Sequence, residues 1–258
     1  MQKIDISLIL PTRNRASLVY RLLDSIKETS SETEKLEIML YVDEDDSESC
    51  RISYPDLPII KLINPPGNTM GKITNICYEA SLGRYIMLLN DDAIFHTPKW
   101  DLTIKDAFCQ FLDDVALVYG NDLDQGKKVP TFPIVSRTVC KIMGNICPSE
   151  YVNLHIENHL FDIFRKLGRL GYKRIIYLKD VIFEHRHYAL GKSKIDKTYI
   201  KKAPELDDRL FIAMDEDRYR MAIKIAQYIE KQNCSEYQSH LKNYSKLKKA
   251  VRRLVKTI

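Results

Sequence analysis

Two adjacent carboxylates, Asp91 and Asp92, end the apolar run Tyr85-Ile86-Met87-Leu88-Leu89 after one Asn90. A run of that kind fits a strand buried on both faces of a sheet covered by helices. In open α/β sheets the carboxyl ends of the strands form the ligand crevice, at the point where the strand order reverses. Neighbouring carboxylates repel each other unless a cation or a basic group stands near, so a pair at such an edge suits a hard divalent metal that can hold a diphosphate. The competing reading is a solvated loop or helix cap, and the pair alone does not decide between them.

Other strand ends carry residues of compatible chemistry. Pro11-Thr12-Arg13-Asn14-Arg15 offers a hydroxyl, guanidinium groups and backbone to a nucleotide, and Asp43-Glu44-Asp45-Asp46 is an acidic turn able to accept hydrogen bonds from a ribose or a base. Asn64 to Asn75 is a loop running into a helix, with Lys72 near the helix start as a point charge for a phosphate, aided by the helix N-terminus. Val181-Ile182-Phe183-Glu184 leads into His185-Arg186-His187, and in a strand residues two apart share a face, so both histidines can address one site.

The elements that must position these groups alternate in type. Ile6 to Leu10, Glu37 to Val42, Ile59 to Ile63 and Tyr85 to Leu89 read as strands; Ser17 to Glu28 and Lys72 to Leu82 read as amphipathic helices. Such alternation implies a mostly parallel, doubly wound sheet. Trp100 to Phe111 reads as a further helix, Ala116 to Tyr119 and Thr131 to Val135 as strands, and Gly120 to Pro130 as a loop; from Asp207 onward the pattern is helical.

The order and spacing of these motifs over roughly residues 4 to 190 resemble family-2-like glycosyltransferases with the GT-A fold. The matching residues are Leu8 to Arg15, Tyr41 to Asp46, Gly71 to Asn75 and Leu88 to Asp92. The resemblance implies an α/β, Rossmann-like, mostly parallel sheet flanked by helices, divided into a nucleotide-sugar half over 1–95 and an acceptor-side half over 96–200. A helical, basic appendage follows over 205–258. It also implies that Pro11, Thr12, Arg13, Arg15, Asp43, Asp45, Lys72, Asn75 and Asp91 surround the nucleotide sugar, while Asp92 serves the metal. Relatives often carry Asp-x-Asp where this chain has Asn90-Asp91-Asp92, so which carboxylate ligates the metal directly stays open. His155 to Arg169 resembles the acceptor-side helix, which places Glu157 as general base with Asp162 in reserve. A C-terminal metal-ligand histidine is implied near His187, the first choice, or His185, the second. Imidazole beside carboxylates favours Mn²⁺ over Mg²⁺. The expected reaction is inverting hexosyl transfer from a nucleotide-diphospho-sugar, with UDP favoured, to a hydroxyl of a glycan, a lipid-linked acceptor or a protein.

Composition sets the remaining bounds. At 258 residues the chain accommodates one large α/β domain with an appendage. Six cysteines lie without a CxxC pair, which fits reduced thiols; with no signal-peptide pattern and no membrane-spanning run, a cytoplasmic location, peripheral to the inner face of a membrane, is expected. The net charge is +5, but residues 241–258 hold seven Lys or Arg and no acid, leaving −2 for the rest. That tail, with Leu247, Val251, Leu254 and Val255 at helical spacing, suits packing on its own protein, self-association or contact with anionic lipid; nucleic acid is the less favoured partner. Two other classes compete: a nucleotidyltransferase, though the glycine-rich, arginine-bearing loop those enzymes use is missing after the first strand, and a non-catalytic module acting through the basic tail.

Overall fold

The computed structural model describes residues 3–186 and 204–233. Its strands are β1 (Ile6–Thr12), β2 (Leu36–Asp43), β3 (Ile59–Asn64), β4 (Tyr85–Leu88), β5 (Ala93–Phe95), β6 (Leu117–Asn121), β7 (Ile134–Ser136) and β8 (Ile175–His185). They form one sheet in the order β3-β2-β1-β4-β7-β6-β8-β5. The first four pair in parallel, β7 runs antiparallel between β4 and β6, β8 is parallel to β6, and β5 returns antiparallel on β8.

The strand sequences are apolar on both faces because both faces are covered. Ile6, Leu8 and Leu10 of β1, with Ile38, Leu40 and Val42 of β2 and Met87 of β4, point into a first core. There they meet α1 (Ala16–Thr29) through Val19, Leu22, Leu23 and Ile26, and α4 (Trp100–Cys109) through Trp100, Ile104 and Phe108. The intervening Ile9, Met39, Tyr41 and Ile86 face a second core. This one is built from α3 (Met70–Ala80), α5 (Arg137–Met143), α6 (Ile156–Arg169) and the C-terminal helices. Each fully buried Leu or Ile stabilises the fold by about 1.5–3 kcal/mol, so the two-period alternation fixes the register strongly. A short helix, α2 (Ser47–Cys50), follows β2, and Asp46 caps it by accepting from Ser49 N.

The helical C-terminal segment is integral to the second core over its described part. After α7 (Pro204–Ala213), the helix over 215–233 buries Ala222, Ile225, Ala226 and Ile229. Asp207 accepts hydrogen bonds from the backbone amides of Val152, Asn153 and Leu154 at 2.7, 2.9 and 2.8 Å. Arg218, buried on the next helix, donates to Asp162 Oδ2 at 2.7 Å and to Phe211 O at 2.6 Å. The basic stretch 241–258 lies outside the described residues. No described helix is long and apolar enough to cross a membrane.

His159 of α6 sits in the same layer, 5 % exposed, with its Nδ1 3.1 Å from Tyr151 Oη. Burial and then the Arg218 charge push its imidazole down from 6.5 to about 3. A base whose folded pKa is depressed contributes stability that is complete above its unfolded pKa and is lost as pH falls. His159 is therefore expected to remove about 1.4 kcal/mol per pH unit below about 6.5. Denaturant midpoints measured from pH 7 to 5 on the wild type and on His159→Gln, which keeps an acceptor for Tyr151, should differ in slope, with the flatter profile in the variant.

Candidate active site

The end of β1 and the end of β4 are joined by one buried carboxylate. Thr12 Oγ1 donates to Asp91 Oδ2 at 2.8 Å, and Arg15 Nη1 donates to Asp91 Oδ1 at 3.1 Å. Asp91 and Asp92 are 4 % and 3 % exposed. Burial pushes the Asp91 carboxyl up to about 6; Arg15 and the Thr12 hydroxyl pull it down, and Asp92 pushes it further up. Desolvation thus outweighs the guanidinium, and the pair still favours an added cation.

His185 reaches this pair because β8 bends. Its register on β6 jumps from Gly120↔Leu178 to Asn121↔Ile182, a bulge that bends the strand. Beyond the jump, β8 carries β5, pairing Ala93 with His185, and Arg186 N donates to Asp92 O at 3.0 Å. The result sets His185 Nε2 3.3 Å from Asp92 Oδ1, with the imidazole edge-on to Phe132. Gly120 permits the crossing: a Cβ there would lie 2.6 Å from Val181 O and 2.7 Å from the Phe183 ring.

The turn after β1 is built from side chains of the turn after β2. Asn14, in the left-handed region at φ 55°, donates its backbone N–H to Asp46 Oδ2 at 2.6 Å. Arg13 pairs with Asp43 and, in a bidentate fork at 2.7 and 2.8 Å, with Asp45. One oxygen of Asp43, Oδ1, is buried and accepts nothing among the described residues, leaving it to receive a ligand N–H or O–H. Pro11, half-buried, precedes Thr12 at the end of β1.

Other expected site residues are placed elsewhere. Asn75 has its amide fully committed: it donates to Cys147 O at 2.8 Å and Ser149 Oγ at 3.1 Å, and accepts from the amides of Ile146 and Cys147. Lys72 is exposed on the first turn of α3, but the N-terminus expected to assist it is closed. Met70 N and Gly71 N donate to Val152 O and Tyr151 O, and Lys72 N to Thr69 Oγ1. Gly71 allows that docking, since a Cβ there would stand 2.1 Å from Pro148 O. Glu157 stands half-buried on the first turn of α6, close enough to Cys147 for its charge to raise that thiol beyond the larger effect of burial. Asp162 accepts from Arg218 and lies 3.3 Å from Lys166 Nζ, a place in the α6 to C-terminal helix packing. His187 lies outside the described residues.

Two residues that carry no signal in the sequence pattern also lie here. Arg21 on α1 and Arg186 after β8 are neighbours by charge: burial and then Arg186 lower the Arg21 pKa, while Asp92, Glu184 and Asp91 offset this. Arg21 on an amphipathic helix reads as a solvated residue, and only the packing of α1 on β5 brings it inward. Glu184, its acidic neighbour, has Oε2 3.0 Å from His96 Nε2.

Among the described residues no three His, Cys, Asp or Glu side chains form a ready ligand set. Asp92 and His185 converge to 3.3 Å, and a carboxylate beside an imidazole is a donor set that fits a divalent ion. Asp91 is occupied by Thr12 and Arg15.

A mixed sheet with a parallel half over β3-β2-β1-β4 and an acidic pair at the carboxyl end of β4 matches the architecture of GT-A glycosyltransferases. Residues 7–127 match the family model described as Glycosyl transferase family 2. The same fold is found in mannosyltransferase PcManGT from Pyrobaculum calidifontis, solved with GDP-Man and Mn²⁺. That likeness has a TM-score of 0.55 at 15 % identity and covers 93 % of this chain and 81 % of that one. It is found in S. aureus TarS 1-349 with UDP-GlcNAc, at TM-score 0.55, 14 % identity and coverage of 87 % and 72 %. Glucosyl-3-phosphoglycerate synthase from Mycobacterium tuberculosis, with Mn²⁺, UDP and glucosyl-3-phosphoglycerate, gives TM-score 0.53, 15 % identity and coverage of 73 % and 75 %. No curated protein matches the chain by sequence. The chain therefore has the GT-A glycosyltransferase fold, and the family match lies within residues 7–127 of its 258.

The Gly120 crossing gives a direct test of how His185 is held. Gly120→Ala should lower the unfolding free energy by about 1–3 kcal/mol, the range for overpacking. It should also shift the His185 ring resonances by NMR, whereas Gly168→Ala, in open space on α6, should leave those resonances in place and raise stability by about 0.5–1 kcal/mol.

Proposed function

We propose that the protein is a divalent-metal-dependent, inverting glycosyltransferase that uses a nucleotide-diphospho-sugar donor, UDP-linked by preference. The observation that carries this reading is the convergence of Asp91, Asp92 and His185 at the carboxyl edge of the parallel strands. Asp92 and His185 would hold the ion, and His185 takes precedence over His187 as its imidazole ligand because it already stands beside Asp92. When bound, that ion supplies Lewis-acid neutralisation of the leaving diphosphate.

The chain's own residues have separate tasks. Thr12 and Arg15 fix Asp91 and so set the position of the Asp92 backbone and carboxylate. Asp43, with its bare buried oxygen and Arg13 alongside, offers an acceptor beside a donor. That pattern suits an edge with an imide N–H flanked by a carbonyl, as in uracil, and thymine and guanine share it. Lys72, exposed on α3, adds positive charge toward the phosphates. Glu157 is the general base: it takes the proton from the acceptor hydroxyl as that oxygen attacks the anomeric carbon opposite the departing diphosphate, so the configuration inverts. Asp162, held by Arg218, keeps α6 in place.

Thermal unfolding with UDP, GDP and TDP, with and without Mn²⁺, tests the donor site. Ligand at a thousand times its dissociation constant should add about 4 kcal/mol of stability. A Mn²⁺-dependent rise in midpoint for one nucleotide, lost in Asp92→Asn, is expected; a folded protein that responds to none of them would sink the reading. For the base, Glu157→Gln should lower kcat by roughly 10²–10⁴ with donor affinity retained. Asp162→Asn should instead lower stability with little change in kcat for the folded fraction, and the reverse pattern would exchange the two assignments.

A further inference from the structure

Two guanidinium groups beside the acidic pair have buried N–H donors without acceptors. Arg21 Nε and Nη2 and Arg186 Nε are all shielded from solvent, and among the described residues none has a hydrogen-bond partner. Placement follows from the fold. α1 packs on β5, where Phe95 N donates to Ser25 Oγ at 3.1 Å. Arg21 precedes Ser25 by four residues, so it lies on the same helix face one turn nearer the start of β5, where Asp92 enters. Arg186 is tied to the same point through its backbone N–H on Asp92 O.

Nearby carboxylates do not resolve this arrangement. Asp91 is taken by Thr12 and Arg15, Asp92 Oδ1 faces His185, and Glu184 Oε2 faces His96. A buried donor left unpaired is costly, and two like charges packed together add repulsion. An oxyanion with several acceptor oxygens relieves both, and the guanidinium fork matches phosphoryl geometry better than a lysine ammonium does.

We propose that Arg21 and Arg186 form an anion subsite that binds phosphoryl oxygens of the donor's diphosphate independently of the divalent ion. This rests on the reading of the edge as a nucleotide-sugar site, and it adds that part of the diphosphate affinity persists without metal. Arg186 follows β8 and Arg21 lies on α1, so the two approach the acidic pair from different elements. The same pair stabilises the charge that collects on the leaving group as the glycosidic bond breaks.

The test uses the full chain in EDTA with inorganic pyrophosphate as probe, read by thermal unfolding, beside a separate arm with UDP and Mn²⁺. Pyrophosphate should raise the wild-type midpoint in EDTA more than equimolar inorganic phosphate does. Its apparent affinity should fall at least tenfold in Arg21→Met and in Arg186→Met, with partial recovery in Arg21→Lys, which restores the charge without the fork. Should Arg21→Met fail to fold, Arg21→Lys and Arg186→Met decide the matter. If pyrophosphate has no effect on the wild type in EDTA while UDP with Mn²⁺ still raises the midpoint, the subsite is overturned and the donor site stands. Equal pyrophosphate affinity in the wild type and the methionine variants also overturns it. No response in either arm would remove the donor reading and, with it, this inference.

Discussion

Asp91 is buried at the junction of two strand ends, and the geometry of the whole edge depends on what surrounds its charge. A carboxylate in that position is expensive to ionise, and even with Arg15 and the Thr12 hydroxyl against it burial keeps its pKa near 6. The arrangement holds because the Thr12 and Arg15 contacts are built into the β1 to α1 turn. Asn14 is set in that turn by Asp46, and Asp46 in turn starts α2. One chain of hydrogen bonds therefore links the end of β2, the turn after β1 and the end of β4, the three strand ends at which a nucleotide would lie.

The other half of the molecule brings its contribution by a different device. β8 begins as a parallel neighbour of β6 and finishes as the antiparallel partner of β5, and the register jump opposite Gly120 lets one strand do both. Without it, His185 would continue along β6 and away from Asp92. Helix α6 is positioned by polar contacts from the far end of the chain. Asp207 gathers three amides of the loop before α6, and Arg218 holds Asp162 on α6 itself. The C-terminal helices are thus a brace for the Glu157 helix.

Much of this was legible in the residues. The strands β1 to β4 and the helices α1, α3 and α4 follow from alternation and amphipathic period, and each begins and ends within about two residues of the reading. The acidic pair announces itself by ending an apolar run. β5 was missed because three residues, Ala93–Phe95, are too few to show a period. The antiparallel insertion of β7 was missed because local pattern carries no direction of pairing. Asn75 was expected at the nucleotide, yet its amide is consumed by the 146–149 loop, a contact across more than seventy residues that no local pattern encodes. The helix N-terminus near Lys72 was expected to serve a phosphate and is closed by Tyr151 and Val152 for the same reason. Arg21 and Arg186 were invisible, since an arginine on a helix or after a strand looks solvated until packing removes the water.

The charges at the edge explain why an acidic pair and buried arginines coexist. Among the described residues, Asp91, Asp92 and Glu184 stand close to Arg15, Arg21 and Arg186. Before any ligand arrives, that number of opposite charges limits the repulsion that two adjacent buried carboxylates would otherwise exert on the fold. Hydrogen bonding is unequal, though: Arg15 donates to Asp91, whereas Arg21 Nε and Nη2 and Arg186 Nε bond nothing among the described residues. A divalent ion alone would add two positive charges next to these guanidiniums and raise the local potential. A diphosphate alone would face the carboxylates. The guanidiniums give a diphosphate a hold of their own, and an ion entering with it removes the repulsion from the carboxylates, so each strengthens the binding of the other.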